Sequence, residues 1–174
     1  MDVKTAFLNG DLDEEIYMKQ PEGFIMPDIK TRFCKLVKSL YGLKQAPKQW
    51  HQKFDEVILS SGFKLNQGDK CIYSKFDNSG NGVIICLYVD DMLIFGFDQK
   101  QVDLTKDFLS SSFSMKDMGE ADVILGIRIK RDNEGLALTQ SHYVEKVLNK
   151  FNCLNCSPVS TPMDPKCEAF ALYG

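Results

Sequence analysis

The stretch VIICLYVDDMLIF, from Val83 to Phe95, decides the fold. Seven apolar or aromatic residues run into two adjacent carboxylates, Asp90 and Asp91, and four more apolar residues follow. This pattern predicts a buried β-hairpin with the two acids at its tip. Adjacent carboxylates repel each other, and a hard divalent metal ion would compensate their charge. An ordinary acidic turn also fits the pattern, because two residues are the usual length of a hairpin loop.

The tetrapeptide YVDD at residues 88–91 and four other segments together carry a resemblance to one known family. In chain order the four segments are DVKTAFLNG (residues 2–10), SLYGLKQAP (39–47), MKDMG (115–119) and ILGI (124–127). Together they resemble the successive palm motifs of the reverse transcriptases of copia-type retrotransposons. The resemblance covers residues 1–165 and leaves 166–174 as an unassigned tail. It implies a reverse transcriptase palm with the start of a thumb-like region over residues 1–165.

The apolar periodicities give the order strand, hairpin, helix, hairpin, helix, hairpin, helix. This order is typical of an α+β fold in which helices cover one face of a largely antiparallel sheet. The resemblance makes that sheet the ferredoxin-like palm of a reverse transcriptase. Because the matching motifs begin at Asp2, we expect the fingers to be incomplete. We also expect residues 1–174, taken alone, to be inactive as a polymerase.

Local signals place several elements along the chain. Residues 2–8 form a strand that stops at an Asn-Gly turn, and Pro47 opens a helix. Asp98 and Gln101 form a capping box at the start of a second helix, and Ser141 caps a third. Four residues of this third helix are expected to point inward: Val144, Val147, Leu148 and Phe151.

The resemblance implies a catalytic group of carboxylates. Asp2, Asp90 and Asp91 would bind two Mg²⁺ ions, for which Mn²⁺ is a possible substitute. Lys116 resembles the position proposed to donate a proton to the leaving pyrophosphate. Without the resemblance, Asp2 would be an exposed acid and Lys116 a surface lysine in a turn.

The resemblance also implies a nucleotide-binding group. Phe7 matches the aromatic residue that lies under the sugar of the incoming nucleotide and excludes a 2′-hydroxyl. Tyr41 and Gly42 lie in the loop that contacts nucleotide and template. Taken on the sequence alone, Phe7 would be a core residue.

The charge is unevenly distributed, although the net charge is only −3. Residues 1–28 contain seven acids and two bases, whereas residues 29–54 contain seven bases and no acid. The basic block is a plausible phosphate-binding surface, with counterion release as the driving term. A solvated charged face is the alternative. The residues predicted to contact nucleic acid are Lys44, Lys48, Trp50 and Tyr88.

The composition, with 44% hydrophobic and 26% charged residues in 174, is that of a globular domain. No secretory signal is recognisable, so we expect an intracellular, cytoplasmic protein, and the family implies a virus-like particle. The apolar run beside Asp90 is too short for a membrane span and has acids at its centre. The resemblance implies three partners: an RNA or DNA template-primer, deoxynucleoside triphosphates, and the rest of a Pol polyprotein with upstream fingers and a downstream RNase H-like region.

The sequence therefore predicts an RNA-directed DNA polymerase that uses two-metal nucleotidyl transfer. Two alternatives from other classes stay open. A non-catalytic relic of a retroelement would keep nucleic-acid binding through residues 29–54 but show no metal-dependent chemistry. A plain ferredoxin-like interaction domain, in which Asp90 and Asp91 form only a turn, would bind neither nucleic acid nor magnesium.

Overall fold

The computed structural model describes residues 1–24, 33–132 and 135–158, and divides the chain into two compact units, 1–120 and 121–174. Over the described residues the chain is α+β with antiparallel sheets, as predicted. The domain predicted over residues 1–165 spans both units, and its end lies outside the described ranges. None of the helices in those ranges is long and apolar enough to cross a membrane. The strands are β1 (Asp2–Val3), β2 (Tyr17–Lys19), β3 (Phe33–Lys35), β4 (Lys64–Leu65), β5 (Ile72–Phe76), β6 (Gly82–Tyr88), β7 (Asp91–Gly96), β8 (Met115–Lys116), β9 (Val123–Ile124), β10 (Ile127–Asp132) and β11 (Gly135–Thr139), and the α-helices are α1 (Ala46–Ser60), α2 (Gln99–Ser112) and α3 (Ser141–Lys150).

The first unit is built on a six-stranded antiparallel sheet with the order β4-β5-β6-β7-β1-β8. The stretch that opened the sequence analysis forms its central hairpin, β6 and β7. β1 lies between β7 and β8, although it is the first strand of the chain. The sheet therefore joins strands that are far apart in the sequence.

Helices α1 and α2 bury one face of this sheet. Alternate residues of β6, namely Val83, Ile85 and Leu87, belong to the core together with Met92 of β7. Burial of such side chains is the main favourable term in folding, at about 25 cal/mol for each Å² of apolar area removed from water. The helices contribute Trp50, Phe54 and Ile58 from α1 and Val102 and Leu109 from α2.

The first strand is shorter than predicted. β1 ends at Val3, and a 3₁₀ helix follows over Ala6–Asn9. Thr5 turns the chain by adopting a left-handed conformation, with φ 54° and ψ 47°. The side-chain amide of Asn9 then donates to the carbonyls of Thr5 and Ala6, which closes the 3₁₀ turn. The predicted strand over residues 2–8 is therefore wrong beyond Val3.

The predicted helix start at Pro47 is confirmed, because α1 begins at Ala46 with proline in its first turn. The capping box at α2 forms only in part. The Asp98 carboxylate accepts from the backbone N–H of Lys100. Gln101, however, donates to the carboxylate of Asp77 and not back to the cap. The second half of the box is lost to a tertiary hydrogen bond.

The second unit contains the sheet β11-β10-β9 and helix α3. Leu125 and Gly126, both with positive φ, form a two-residue turn between β9 and β10 that the sequence analysis did not predict. Helix α3 buries none of its residues, so the prediction that Val144, Val147, Leu148 and Phe151 point into a core is wrong; Val144 and Phe151 are exposed. The helix ends in a Schellman motif, in which the N–H of Cys153 donates to the carbonyl of Leu148.

Candidate active site

Four of the site residues predicted from the sequence lie in one row across the sheet of the first unit. Tyr88 is opposite Asp91, Asp91 is opposite Asp2, and Asp2 is opposite Lys116. Directly opposed residues of antiparallel strands place their side chains on the same face. The row therefore joins two carboxylates, one lysine and one tyrosine from four strands.

The row faces away from the helices. Its neighbours along the strands are Val3, Leu87 and Met92, and all three are buried in the core. Successive side chains of a strand point to opposite faces, so the row lies on the other side of the sheet. Tyr88, 57% exposed, and Asp91 are accessible there.

The backbone hydrogen bonds show how closely Asp2 approaches Asp91. Met1 and Met92 exchange both backbone bonds, each 2.8 Å long. The next pair along, Asp2 and Asp91, is therefore a non-hydrogen-bonded pair, in which Cα atoms lie about 4.5 Å apart. The N–H of Val3 donates to the carbonyl of Asp90 at 2.8 Å. The strand of Asp2 thus lies directly beside both acids of the hairpin.

The turn of the hairpin differs by one residue from the prediction. Its two loop residues are Val89 and Asp90, and Asp91 is the first residue of β7. Val89 has φ 56°, which is unusual for a β-branched residue and costs about 1–3 kcal/mol. The two acids therefore have different backbone settings: Asp90 lies in a strained turn and Asp91 in a regular strand.

Trp50 lies behind this turn and not on the surface. Its side chain is only 2% exposed, and its indole N–H donates to the carbonyl of Val89 at 2.6 Å. The ring also packs against Phe54 and Phe113. A base has no access to a ring that is covered in this way, so the prediction that Trp50 contacts nucleic acid is wrong. No local sequence signal indicated its bond to Val89.

The three carboxylates at the strand ends of β1 and β7 form a donor set that fits a hard divalent cation, because Mg²⁺ and Mn²⁺ prefer carboxylate oxygens. Asp2 and Asp90 are half-buried and Asp91 is exposed. In the described part of the chain, however, no three His, Cys, Asp or Glu side chains are gathered closely enough to hold a metal ion. The backbone brings the three residues together, and the convergence of their carboxylates on a metal stays a prediction.

Phe7 and Tyr41, which the sequence assigned to a nucleotide-binding group, lie together. Their ring centroids are 4.5 Å apart, with the planes inclined by 40°. Phe7 packs partly against the core, whereas Tyr41 is 48% exposed. Gly42, next to it, has φ 93° and open space where a Cβ would stand. The loop at residues 41–42 is therefore accessible beside the ring of Phe7.

Lys116 is exposed at the end of the row. Among the described residues no carboxylate lies within ion-pair distance of it, whereas the next residue, Asp117, is engaged. Asp117 accepts from the backbone N–H of Gly119 and pairs with Lys106 at 3.0 Å. These two bonds hold the pKa of Asp117 below its usual value. Lys116 thus places its ammonium group on the face of the acids, without an ion-pair partner among the described residues.

The acidic and basic segments of the sequence pair with each other. Lys35 forms an ion pair with Glu15, and Lys38 forms one with Asp11, whose pKa it lowers by a hydrogen bond. Lys53 also lies 3.5 Å from Asp11. Residues 29–54 therefore do not form a single basic surface, because Asp11 and Glu15 neutralise three of their lysines. The sequence alone could not show these ion pairs.

Two lysines of the basic block remain available. Lys44 and Lys48 are exposed, and the described residues offer neither of them a carboxylate within ion-pair distance. They flank the start of α1, next to the loop of Tyr41. Lys30 and Arg32 lie outside the described residues. The positive charge beside the site is thus smaller than the composition indicated, and it is centred on Lys44 and Lys48.

Carboxylates from separate antiparallel strands thus meet at one end of the sheet, as the resemblance to reverse transcriptases implies. Residues 1–165 match the family described as "Reverse transcriptase (RNA-dependent DNA polymerase)". The chain therefore belongs to the reverse transcriptase family of RNA-directed DNA polymerases, which confirms the resemblance to copia-type retrotransposon enzymes.

Several of its relatives are polyproteins much longer than this chain. The chain is 52% identical over 165 residues to the retrovirus-related Pol polyprotein from transposon TNT 1-94 of Nicotiana tabacum. It is 41% identical over 165 residues to that from transposon RE1 of Arabidopsis thaliana, and 30% identical over 174 to the Transposon Ty1-DR1 Gag-Pol polyprotein of Saccharomyces cerevisiae. These alignments cover 94%, 95% and 95% of this chain but 12%, 11% and 9% of the relatives. No solved structure matches the chain significantly.

Proposed function

We propose that residues 1–165 form the ferredoxin-like palm of a reverse transcriptase with the start of a thumb-like region, in which a primer 3′-hydroxyl attacks the α-phosphate of a deoxynucleoside triphosphate and pyrophosphate leaves. One observation carries the proposal: Asp2 lies directly opposite Asp91, with Asp90 in the adjoining turn. Carboxylates in such close register repel each other, which is unfavourable in an ordinary surface sheet. Divalent cations bound between these carboxylates would offset the repulsion.

Asp2, Asp90 and Asp91 are the residues that would hold Mg²⁺, or Mn²⁺ in its place. Bound there, the metal ions would lower the pKa of the attacking hydroxyl and offset the charge of the leaving pyrophosphate. The chain supplies carboxylates at the ends of two neighbouring strands, and the pairing of these strands fixes their spacing. Preorganised ligands of this kind are the main contribution of a protein to such a reaction.

Other residues of the row and the nearby loop take the remaining roles. Lys116 stands next to Asp2 on the side away from Asp91, a place from which an ammonium can donate a proton to a phosphate oxygen. Phe7, supported by Tyr41, would lie under the sugar and exclude a 2′-hydroxyl. Gly42 lets the nucleotide approach the backbone of the loop.

The template-primer would be bound by charge and by stacking. Lys44 and Lys48 provide phosphate contacts, and the exposed ring of Tyr88 lies on the face of the acids, where a primer end has to reach. The relatives are much longer than this chain, so the rest of a Pol polyprotein is the proposed partner for fingers and RNase H-like functions. In that setting the protein would act inside the cell, in a virus-like particle.

Primer extension on an RNA template tests the proposal, in a polymerase that contains this region. We expect Asp90→Asn and Asp2→Asn to lower the rate at least a thousandfold, in keeping with the several kcal/mol that metal ligands supply. Asp98→Asn is the matched control, because Asp98 is a helix cap remote from the row. Near-normal extension by both site variants would contradict the proposal. Template binding with no extension by the unaltered protein would favour the non-catalytic relic.

A further inference from the structure

We propose that Trp50 is a positioning residue that holds Asp90 in place through the carbonyl of Val89. The inference rests on the proposed function, because it assigns Asp90 as a metal ligand. It starts from two observations that the reaction scheme does not use. The buried indole N–H reaches the tip of the hairpin, and the residue it contacts has a strained backbone.

The strain at Val89 requires a compensating interaction. At φ 56° the branched side chain is crowded against its own backbone, so an isolated turn of this sequence would prefer another conformation. Val89 is 44% exposed, and core packing of its side chain is therefore incomplete. The bond from Trp50 acts directly on the peptide group that follows Val89, and this peptide group leads into Asp90.

The turn is fixed from two sides. Trp50 donates to the carbonyl of Val89 at 2.6 Å, and the N–H of Val3 donates to the carbonyl of Asp90 at 2.8 Å. The peptide planes on both sides of the Asp90 Cα are thereby oriented. Since the Cα position and the two planes determine where Cβ points, they also determine the direction in which the carboxylate leaves the backbone.

The indole itself has little freedom to follow the hairpin. Its ring centroid lies 5.6 Å from that of Phe54 and 5.1 Å from that of Phe113. The backbone at the start of α1 is held too, because a Cβ at Gly10 would stand 3.1 Å from the N atom of Trp50. The donor is thus rigid, as a residue that positions another must be.

Loss of the N–H tests this role, and the packing that is lost with the smaller ring of Phe is tested by a separate control. Trp50→Phe keeps an aromatic ring but leaves the carbonyl of Val89 without its buried donor. We expect the turn to relax and the affinity of the acids for Mn²⁺ to fall roughly tenfold. Val89→Gly in the same chain should restore most of that affinity, because glycine adopts positive φ without steric cost. A purely structural Trp50 offers no reason for this rescue.

The experiment uses ¹⁵N-labelled chain of residues 1–174, with Mn²⁺ as the probe and line broadening of the Asp90, Asp91 and Met92 amides as the readout. The H–N–Cα–H coupling of Val89 reports its φ without metal. Phe113→Leu is the matched control, since it removes core contacts near Trp50 and no hydrogen bond. It should lower stability and leave both readouts unchanged. Replacement of Trp50 by benzothienylalanine, which has the same shape and no N–H, serves if Trp50→Phe does not fold.

The outcomes are distinguishable. Weaker Mn²⁺ binding and an altered Val89 coupling in Trp50→Phe, both restored by Val89→Gly, would support the positioning role. A normal Mn²⁺ site and unchanged coupling in Trp50→Phe would overturn it and leave the proposed function standing. Absence of Mn²⁺ broadening at Asp90 and Asp91 in the unaltered chain would contradict the proposed metal site and the positioning role together.

Discussion

The ring of Phe7 packs on the ring of Tyr41, with 4.5 Å between their centroids. Phe7 is the second residue of the 3₁₀ helix and packs partly against the core, and the first residue, Ala6, is fully buried. The core therefore limits movement of Phe7 on one side, and Tyr41 limits it on another. A ring confined in this way can exclude a bulkier sugar, because sideways movement of the ring would require the displacement of a second aromatic residue.

Phe7→Val, in an active polymerase containing this region, should raise the use of ribonucleotides relative to deoxyribonucleotides by roughly tenfold or more. The smaller side chain leaves room for the 2′-hydroxyl, and single-group discrimination of this kind spans about 10- to 200-fold. The ratio of kcat/KM for the two nucleotides is the measurement. Tyr41→Ala should shift the ratio in the same direction by a smaller factor. An unchanged ratio in Phe7→Val, equal to that of the remote control Phe76→Val, would identify Phe7 as a core residue only.

Lys44 and Lys48 should account for more of the nucleic-acid binding than Lys35 and Lys38. The latter two already have carboxylate partners, Glu15 and Asp11, so a phosphate gains less from them. Replacing both Lys44 and Lys48 by Gln should reduce the slope of log K against log salt by about 1.8 for duplex DNA, as expected when two phosphate contacts are lost. Fluorescence anisotropy with labelled duplex DNA, between roughly 50 and 200 mM KCl, measures the binding constant of the Lys44/Lys48 and the Lys35/Lys38 double variants. Equal slopes for the two double variants would refute this distribution of charge.

The ion pairs of these lysines could not be predicted from the sequence. The sequence shows the basic block at residues 29–54, but its partners Asp11 and Glu15 lie in another part of the chain. A count of charges does not show which residues lie close together in the fold. The same limit applies to the turn. The apolar runs on both sides of Asp90 and Asp91 predicted the hairpin of β6 and β7, but they placed the loop one residue too late. The loop is Val89-Asp90, and the unfavourable φ of Val89 depends on Trp50, which is far away in the chain.

Local signals succeeded where the interaction they describe is itself local. Pro47 marked the start of α1 because its effect is confined to one helical turn. Gln101 was assigned to a capping box because only its neighbours were visible in the sequence, whereas in the fold Asp77 competes for its amide. The pairing of Asp2 with Asp91 came from the family resemblance alone, since no pattern in one sequence encodes a contact between the first and seventh strands.

Tyr73→Phe should destabilise the first unit by about 1–3 kcal/mol at neutral pH. The Tyr73 hydroxyl is buried and donates to the carboxylate of Asp55 at 2.5 Å. The Nε2 atom of His51 lies 3.4 Å from the same hydroxyl oxygen. Hydrogen bonds to charged groups are worth about 1.5–3 kcal/mol, and Asp55 retains some solvent access that offsets part of the loss. Urea unfolding monitored by circular dichroism gives the free energy. A variant as stable as the parent would show that the hydroxyl adds nothing.

The same residue predicts a pH dependence at the alkaline end. Burial, and then the hydrogen bond to Asp55, raise the pKa of Tyr73 above its usual value. Above pH ~10 the unfolded chain loses this proton while the folded chain keeps it, so the free energy of unfolding falls by up to about 1.4 kcal/mol per pH unit. Tyr73→Phe should lack this contribution. The stability difference between parent and variant should therefore shrink as the pH rises past ~10, and a constant difference would contradict the assignment.

Gly10→Ala should destabilise the first unit by roughly 1–3 kcal/mol. An added Cβ would stand 3.0 Å from the Cβ of Gln49 and 3.1 Å from the backbone N of Trp50, and backbone atoms of a helix do not move aside at low cost. Thermal unfolding provides the measurement. Gly68→Ala is the matched control, because its nearest neighbour is the Asn66 side-chain oxygen at 3.4 Å. Equal melting temperatures for the two variants would show that α1 accommodates the methyl group.

The position of β1 between β7 and β8 has a consequence for biosynthesis. The row of Tyr88, Asp91, Asp2 and Lys116 is completed only when the strand made first pairs with strands made much later. Closing such long loops is entropically slow, so the hairpin of β6 and β7 can form on the ribosome well before its acids acquire their neighbour. During translation Asp2 therefore lacks its neighbour Asp91 until β7 has left the exit tunnel, and the row is completed only after Lys116 has followed.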